Sequence, residues 1–306
     1  MAESNTPQTI VVTGASGLIG KRLVASLESA GRRVLRAVRR DVRDPAREFL
    51  WDPAQGRIDR DKLVGVDAVV HLAGANVAGK RWTPAYKKLL IESRVQGTQL
   101  ISEAIAALEP KPRVLTCASA IGFYGDRGDE LVDESSPSGD GFLPDLCLQW
   151  ERACQPARDA GIRVANMRIG VVLTPDGGAL AKMLTPFKLG AGGVIGSGRQ
   201  YMSWIALVDL VRAIGQVLDD DQLSGPVNLV APSPATNREF TKTLGKVLFR
   251  PTLFPMPAFA ARLAFGEMAD ELLLSSTRVA PTALKRSSFR FDHAELESAL
   301  RHLLGK

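Results

Sequence analysis

Eight residues, Thr13-Gly14-Ala15-Ser16-Gly17-Leu18-Ile19-Gly20, have the types and spacing to cradle a pyrophosphate. They follow an apolar run, Thr9-Ile10-Val11-Val12, that reads as a buried strand, and precede Lys21 to Leu27, which has the apolar spacing of a helix. In a strand–turn–helix unit each glycine has a task. Gly14 permits the tight turn, Gly17 lets a pyrophosphate approach the backbone, and Gly20 lets helix and strand pack closely. The amides of the first helical turn then face the anion. An ordinary Gly-rich loop is the competing reading.

The next strand candidate, Arg32 to Arg40, bears on which dinucleotide. A fold that prefers NAD carries an acid about 20 residues past the glycines, bonded to the ribose 2′-hydroxyl. Arg39 lies 19 positions past Gly20, and Arg39 and Arg40 stand where that acid would be. Guanidinium forks suit a 2′-phosphate, so the pair points to NADP(H). A solvated basic strand end is the alternative.

Other residues could carry chemistry. Lys80-Arg81-Trp82 offers a cation pair and an aromatic wall for an anionic substrate, or a solvated loop with a packed Trp. His71 lies inside a strand and reads as a core histidine. Ser119 and Tyr124 could form a proton-donating pair. Cys147 is a nucleophile only if a nearby cation lowers its pKa, and inert burial is the simpler reading. Asp209 reads as a helix cap.

Positioning these residues takes an alternating order of elements. Strands are expected at Val66–Gly74, Arg113–Ser119, Arg163–Arg168 and Val227–Val230, with helices over 93–107, 240–248 and 258–274. That alternation implies an α/β fold, a doubly wound parallel sheet of Rossmann type. A smaller, mostly helical substrate-side domain completes it. The expected division is 8–170 with 205–235 for the dinucleotide-binding domain. The substrate-side domain takes 171–204 with 236–306, including the C-terminal helical segment.

The chain has 306 residues, 45% hydrophobic and 24% charged, with a net charge of +6. The basic residues are scattered, and no Lys/Arg run is interleaved with aromatics, which argues against nucleic acid as a partner. Cys117, Cys147 and Cys154 show no metal or redox spacing and are too few for a disulfide scaffold. No signal peptide or membrane-length apolar run is read, so the expectation is a cytoplasmic protein with a small-molecule substrate. Nothing in the sequence sets the oligomeric state.

Five motifs in order resemble the extended short-chain dehydrogenase/reductase superfamily, the group containing sugar-nucleotide epimerases. They are the glycine turn, "HLAG" at 71–74, "SRVQGT" at 93–98, "SAIGFYG" at 119–125 and "GSGRQYMSWIALVDLVRAI" at 196–214. More narrowly, "AGKRWTP", "GDRGDE", "WE" and "GALAKMLTPFKLGAGG" resemble an atypical branch of epimerase-family proteins. The tail from Pro251 is similar to that branch's short C-terminal domain of unestablished role. The resemblance assigns Gly14, Ser16, Gly17, Leu18, Ile19 and Gly20 to the pyrophosphate and Arg39, with Arg40, to the 2′-phosphate. Asp52 matches an acid that meets adenine. Leu72, Ala73 and Gly74 match the strand-end backbone along the cofactor, and Val172 a loop at the nicotinamide end. Arg94 stands where many relatives have Asn. Tyr201, Met202 and Trp204 match a segment that closes over substrate.

The resemblance also implies a Tyr acid/base and, four residues on, a Lys that holds the nicotinamide ribose. Counting back from Glu151, those slots hold Leu143 and Cys147, which can do neither task. Tyr124 has no Lys four residues on. The Ser/Thr expected four residues before it is Ala120, with Ser119 one step off. Two functions remain in view. One is an NADP(H)-dependent oxidoreductase or epimerase-like enzyme on a small polar, anionic metabolite. The other is a non-catalytic NADP(H)-binding sensor or partner-binding protein.

Overall fold

The computed structural model describes residues 8–306. Its strands are β1 (Thr9–Thr13), β2 (Arg33–Val38), β3 (Glu48–Asp52), β4 (Arg57–Ile58), β5 (Ala68–His71), β6 (Val114–Ala120), β7 (Leu131–Val132), β8 (Arg163–Ile169), β9 (Val171–Leu173), β10 (Tyr201–Met202), β11 (Trp204–Ala206), β12 (Gly225–Leu229), β13 (Ala235–Thr236) and β14 (Arg278–Val279). The main helices are α1 (Leu18–Ser29), α2 (Pro84–Ala106), α3 (Phe142–Arg152), α4 (Gln155–Asp159), α5 (Gly178–Lys188), α6 (Leu207–Asp219), α7 (Asn237–Leu248) and α8 (Ala258–Phe265).

Eight strands form one sheet in the order β12-β8-β6-β5-β1-β2-β3-β4. All neighbours are parallel except the edge pair β3–β4. The strands are apolar on both faces because helices cover both. Ile10 and Val12 of β1 point to the face packed by Leu23 and Leu27 of α1 and by Leu210 and Ile214 of α6. Val11 points to the other, against Ile101 and Ile105 of α2 and Trp150 of α3. This is the doubly wound parallel sheet that the alternation predicts.

The chain runs outward from β1 through β2 and β3, then returns past β1 to β5 and β6. The strand order therefore reverses between β1 and β5, where Thr13 lies opposite His71. In open α/β sheets, ligands bind outside the carboxyl ends of the strands at such a reversal.

A separate apolar cluster joins elements of the segments 171–204 and 236–306. Leu180, Leu184 and Phe187 of α5 meet Phe240 and Leu244 of α7, with Trp204, Leu296 and Leu300. Helix α7 begins with a capping box, Thr236 and Glu239 exchanging side chain and backbone bonds.

Two helices differ from expectation. The helix expected from residue 93 starts at Pro84, because Thr83 accepts the Tyr86 amide and Pro84 fits the first turn. The helix expected over 258–274 breaks at Gly266, whose φ of +63° lies in the left-handed region.

Candidate functional site

The glycine turn is built as the sequence spacing requires. Gly14 has φ +70°, and a Cβ there would stand 2.9 Å from the Leu72 carbonyl carbon. A Cβ on Gly20 would stand 2.2 Å from the Gly14 carbonyl oxygen, so only glycine lets α1 lie this close to β1. Gly17 and Ser16 are exposed. Gly17 is the residue at which α1 begins; no side chain caps the helix, and its first turn carries no acid. The first-turn amides, Leu18 and Ile19 among them, are therefore left to an external acceptor.

Thr13 ties this turn to the next strand end. Its hydroxyl accepts from the Leu72 and Ala73 amides and lies 2.7 Å from His71 Nδ1. Burial pushes the His71 imidazole down to about 3, so it is a neutral core histidine. Ile19, Leu72 and Val172 pack on one shared apolar cluster, which joins the glycine turn, the β5 end and the β9 segment.

Arg39 and Arg40 leave β2 differently. Arg39 is exposed and, among the described residues, makes no ion pair or hydrogen bond. Arg40 grips both Glu48 oxygens, at 2.6 and 3.0 Å. The hydrogen bond from Arg40, together with the Arg43 amide, holds the Glu48 carboxyl down near 2. Of the two arginines expected at the 2′-phosphate, Arg40 is already engaged by Glu48, whereas Arg39 has no such partner among the described residues. Asp52 closes β3 nearby and lies 3.8 Å from the Arg57 guanidinium.

The Ser119–Tyr124 pair is not assembled for proton donation. The Ser119 hydroxyl donates to Glu151 Oε1 at 2.7 Å. Tyr124 is fully buried; its hydroxyl donates to Asn228 Oδ1 at 2.7 Å and accepts from Arg168 at 3.1 Å. Burial raises the Tyr124 pKa. Arg168 in turn pairs with both Glu151 oxygens and stacks on Phe123. Both hydroxyls belong to one internal network that fastens β6, α3, β8 and β12 together. Cys147 is inert as expected, because burial pushes its thiol up to about 12.

Several expected substrate residues also pack inward. Trp204 is fully buried and donates Nε1–H to the Ser233 carbonyl, so it is core rather than a cleft wall. Trp82 donates to the Val77 carbonyl and meets Phe142 edge-on. Arg81 donates to the Leu263 carbonyl and flanks Gly266, tying its loop to the C-terminal segment. Lys80 stays exposed, and Tyr201 is half-buried with Arg278 over its ring. Asp209 does not cap its own helix. It accepts the Asp292 and His293 amides and so anchors the C-terminal segment on α6.

Arg94, whose slot singled it out, proves more prominent than its place in the motif suggests. Its guanidinium lies 4.8 Å from the Trp150 ring and against Gly74, where a Cβ would stand 3.3 Å from Cζ.

Residues 10–229 match the model of the NAD dependent epimerase/dehydratase family. The chain belongs to that family. Within the extended short-chain dehydrogenase/reductase superfamily it carries a second match, residues 256–303, to a domain of unknown function, DUF1731. An epimerase family protein of Mycobacterium bovis is 46% identical over 291 residues, covering 95% of this chain and 96% of that protein. A chloroplastic epimerase family protein of Arabidopsis thaliana, named as a homolog of SDR39U1, is 37% identical over 99% of this chain and 88% of its own length. The crystal structure of human epimerase family protein SDR39U1 with NADPH superposes with a TM-score of 0.89 at 33% identity, covering 98% of this chain and 100% of that one. Epimerase-family membership brings an NAD(P)-dependent enzyme class with it. Among the described residues, no helix is long and apolar enough to cross a membrane.

Proposed function

We propose that this protein binds NADP(H) at the β1/β5 reversal and acts as an oxidoreductase or epimerase-like enzyme on a small polar, anionic metabolite. One observation carries the reading: among the described residues, the uncapped start of α1 and the exposed Arg39 both lack protein partners at the carboxyl edge of the sheet. The uncapped amides suit a pyrophosphate and the free fork a 2′-phosphate. The human relative's complex with NADPH supports the same cofactor. Bound there, the cofactor would supply hydride transfer. Gly14 and Gly17 would hold its phosphates, Leu72 to Gly74 its middle, and Val172 its far end. The substrate would lie between that edge and the elements of 171–204 and 236–306. Lys80 is the exposed cation nearest in sequence to the β5 loop. The three buried cysteines suit a reducing cytoplasm.

A sensor without turnover is the second reading, and one observation favours it. The tyrosine and lysine slots hold Leu143 and Cys147, and Tyr124 is locked to Asn228. A screen of small anionic metabolites, following NADPH absorbance, separates the two. Turnover on one class supports the enzyme. NADPH binding with no turnover across a broad screen supports the sensor.

A further inference from the structure

Among the described residues, the segment after α7 presents an apolar face that nothing covers. Helix α7 ends at Phe249, and the chain runs through Pro251, Pro255 and Pro257 into α8. Phe249, Leu253, Phe254, Phe259 and Leu263 are 67–78% exposed, and Leu189, just past α5, is 79% exposed. Backbone contacts bring the two stretches together. Arg250 Nε donates to the Lys188 carbonyl, the Met256 amide donates to the Val194 carbonyl, and a Cβ on Gly193 would collide with the Phe254 carbonyl. Phe259 and Leu263 lie one turn apart on α8, whose other side buries Ala261. At about 150–250 Å² per ring, the three phenylalanines alone expose roughly 300–500 Å². That already equals the largest patch on a typical monomer. Phe249 carries a second penalty. Its φ of +54° is left-handed, where a helix end ordinarily uses glycine or asparagine.

The charge around this face has one sign. Neither 177–208 nor 240–266 contains an Asp or Glu, in a chain with 33 of them over 306 residues, whereas the two segments carry three and four Lys or Arg. Among the described residues, two acids from outside pair with these cations, Asp270 with Arg262 and Glu297 with Lys246. Lys188, Lys242 and Arg250 have no carboxylate within ion-pair distance there; Lys242 and Arg250 donate to nearby carbonyls instead. An apolar face with a positive rim is complementary to an anionic lipid surface. A second copy meeting this face through its own would bring the same cations and no free acid. Among the described residues no helix is long and apolar enough to cross a bilayer, so the contact is one that lies in the interface.

We propose that residues 249–263, with Leu189, attach the protein to an anionic bilayer surface. The rings and leucines enter the boundary between headgroups and acyl chains, and Lys188, Lys242 and Arg250 meet the headgroup phosphates. This attachment is independent of the cofactor and its site.

Vesicle co-sedimentation tests it. The probes are vesicles of phosphatidylcholine and vesicles in which part of it is replaced by phosphatidylglycerol. Wild-type protein should bind the mixed vesicles about ten- to a hundredfold more tightly, the worth of two or three cations beside an anionic surface. Concentrated salt should remove that difference. Phe254→Ser with Phe259→Ser should weaken binding to the mixed vesicles by about tenfold or more. Lys188→Gln with Arg250→Gln should bring the two kinds of vesicle within about threefold of each other. All four side chains are exposed, so both double variants should keep the wild-type midpoint in urea. Wild-type protein that ignores the mixed vesicles, or binds both kinds equally, overturns the proposal, as does wild-type binding by the phenylalanine double variant. Light scattering that finds a wild-type dimer and a monomeric phenylalanine double variant also overturns it, and gives the face to a second copy.

Discussion

Arg168 and Glu151 form a two-pronged ion pair, Nε to Oε1 at 2.9 Å and Nη2 to Oε2 at 3.0 Å, inside the wall between β8 and α3. The pair explains why Tyr124 is unavailable: the third arm of Arg168 holds the tyrosine hydroxyl. Tyr124→Phe should therefore act on stability. Removing the hydroxyl takes away the donor to Asn228 and one acceptor of Arg168, at a cost of about 1–3 kcal/mol in denaturant unfolding. NADPH affinity and any turnover should stay near wild type. A large loss of turnover with unchanged stability would restore Tyr124 as a proton donor.

The glycine turn separates folding from binding at two positions. Gly17 has an ordinary extended backbone and an exposed outer face, and a Cβ there would meet the Gly14 oxygen at 3.2 Å. Gly17→Val should leave a folded protein that no longer enhances NADPH fluorescence, because the branch fills the space a pyrophosphate needs. Gly20→Ala should unfold or severely destabilise the domain, since its methyl would collide with the turn at 2.2 Å. Retained fluorescence enhancement in soluble Gly17→Val would show that the phosphates lie elsewhere.

The two arginines after β2 should give unequal results. Arg39→Ala should lower NADPH affinity by about ten- to a hundredfold and leave NADH unchanged, removing the preference for the phosphorylated cofactor. Arg40→Ala should do less to affinity. Its main effect is to leave Glu48 without its partner, lifting that carboxyl toward its ordinary value. Acid titration then distinguishes them. The Glu48 pair stabilises the fold above the carboxylate's unfolded value and fades as pH falls toward 2, so Arg40→Ala should lose that component and Arg39→Ala should keep it. Equal NADPH affinity for wild type and Arg39→Ala would remove the 2′-phosphate assignment.

Local signals were legible in the sequence and distant partners were not. The glycine turn and the strands β1, β5, β6 and β8 announce themselves through apolar runs and glycine spacing. Strand β3, one in from the edge, does not, because its charged first residue, Glu48, is buried in a pair with Arg40. The 84–92 start of α2 is masked by Pro84, which reads as a breaker until Thr83 is seen to cap the turn. Tyr124 looks like an acid because its partner Asn228 lies 104 residues away and its lock, Arg168, lies on another strand. Trp204 and Trp82 read as cleft walls for the same reason: their indole N–H groups are satisfied by carbonyls that only the folded chain brings near. The segment 189–206 is the less legible part, since its residues form loops and the short strands β10 and β11, with no period of their own.

Cys147 should be silent in both chemistry and binding. Its thiol is buried, donates toward the Ala120 carbonyl and is pushed up to about 12. Native protein should resist thiol-directed labelling at pH 8, and Cys147→Ala should leave NADPH affinity and any turnover near wild type. Fast labelling that protects against NADPH binding would instead mark this wall of α3 as open and reactive.

His71 makes stability depend on pH in a defined direction. Burial lowers its folded pKa to about 3, whereas the unfolded chain titrates near 6.5. Below about 6.5 the unfolded state takes up a proton that the folded state refuses, so stability is full above that pH and falls as the solution is acidified toward 3. Between pH 6.5 and 5 the loss should be about 2 kcal/mol, before most carboxylates titrate. His71→Gln can still hydrogen-bond the Thr13 hydroxyl but cannot titrate. It should be less stable at pH 7.5 and should flatten the slope in that window. Denaturant unfolding at half-unit pH steps reads the difference directly, and parallel curves for the two proteins would mean that His71 reaches water in the folded state.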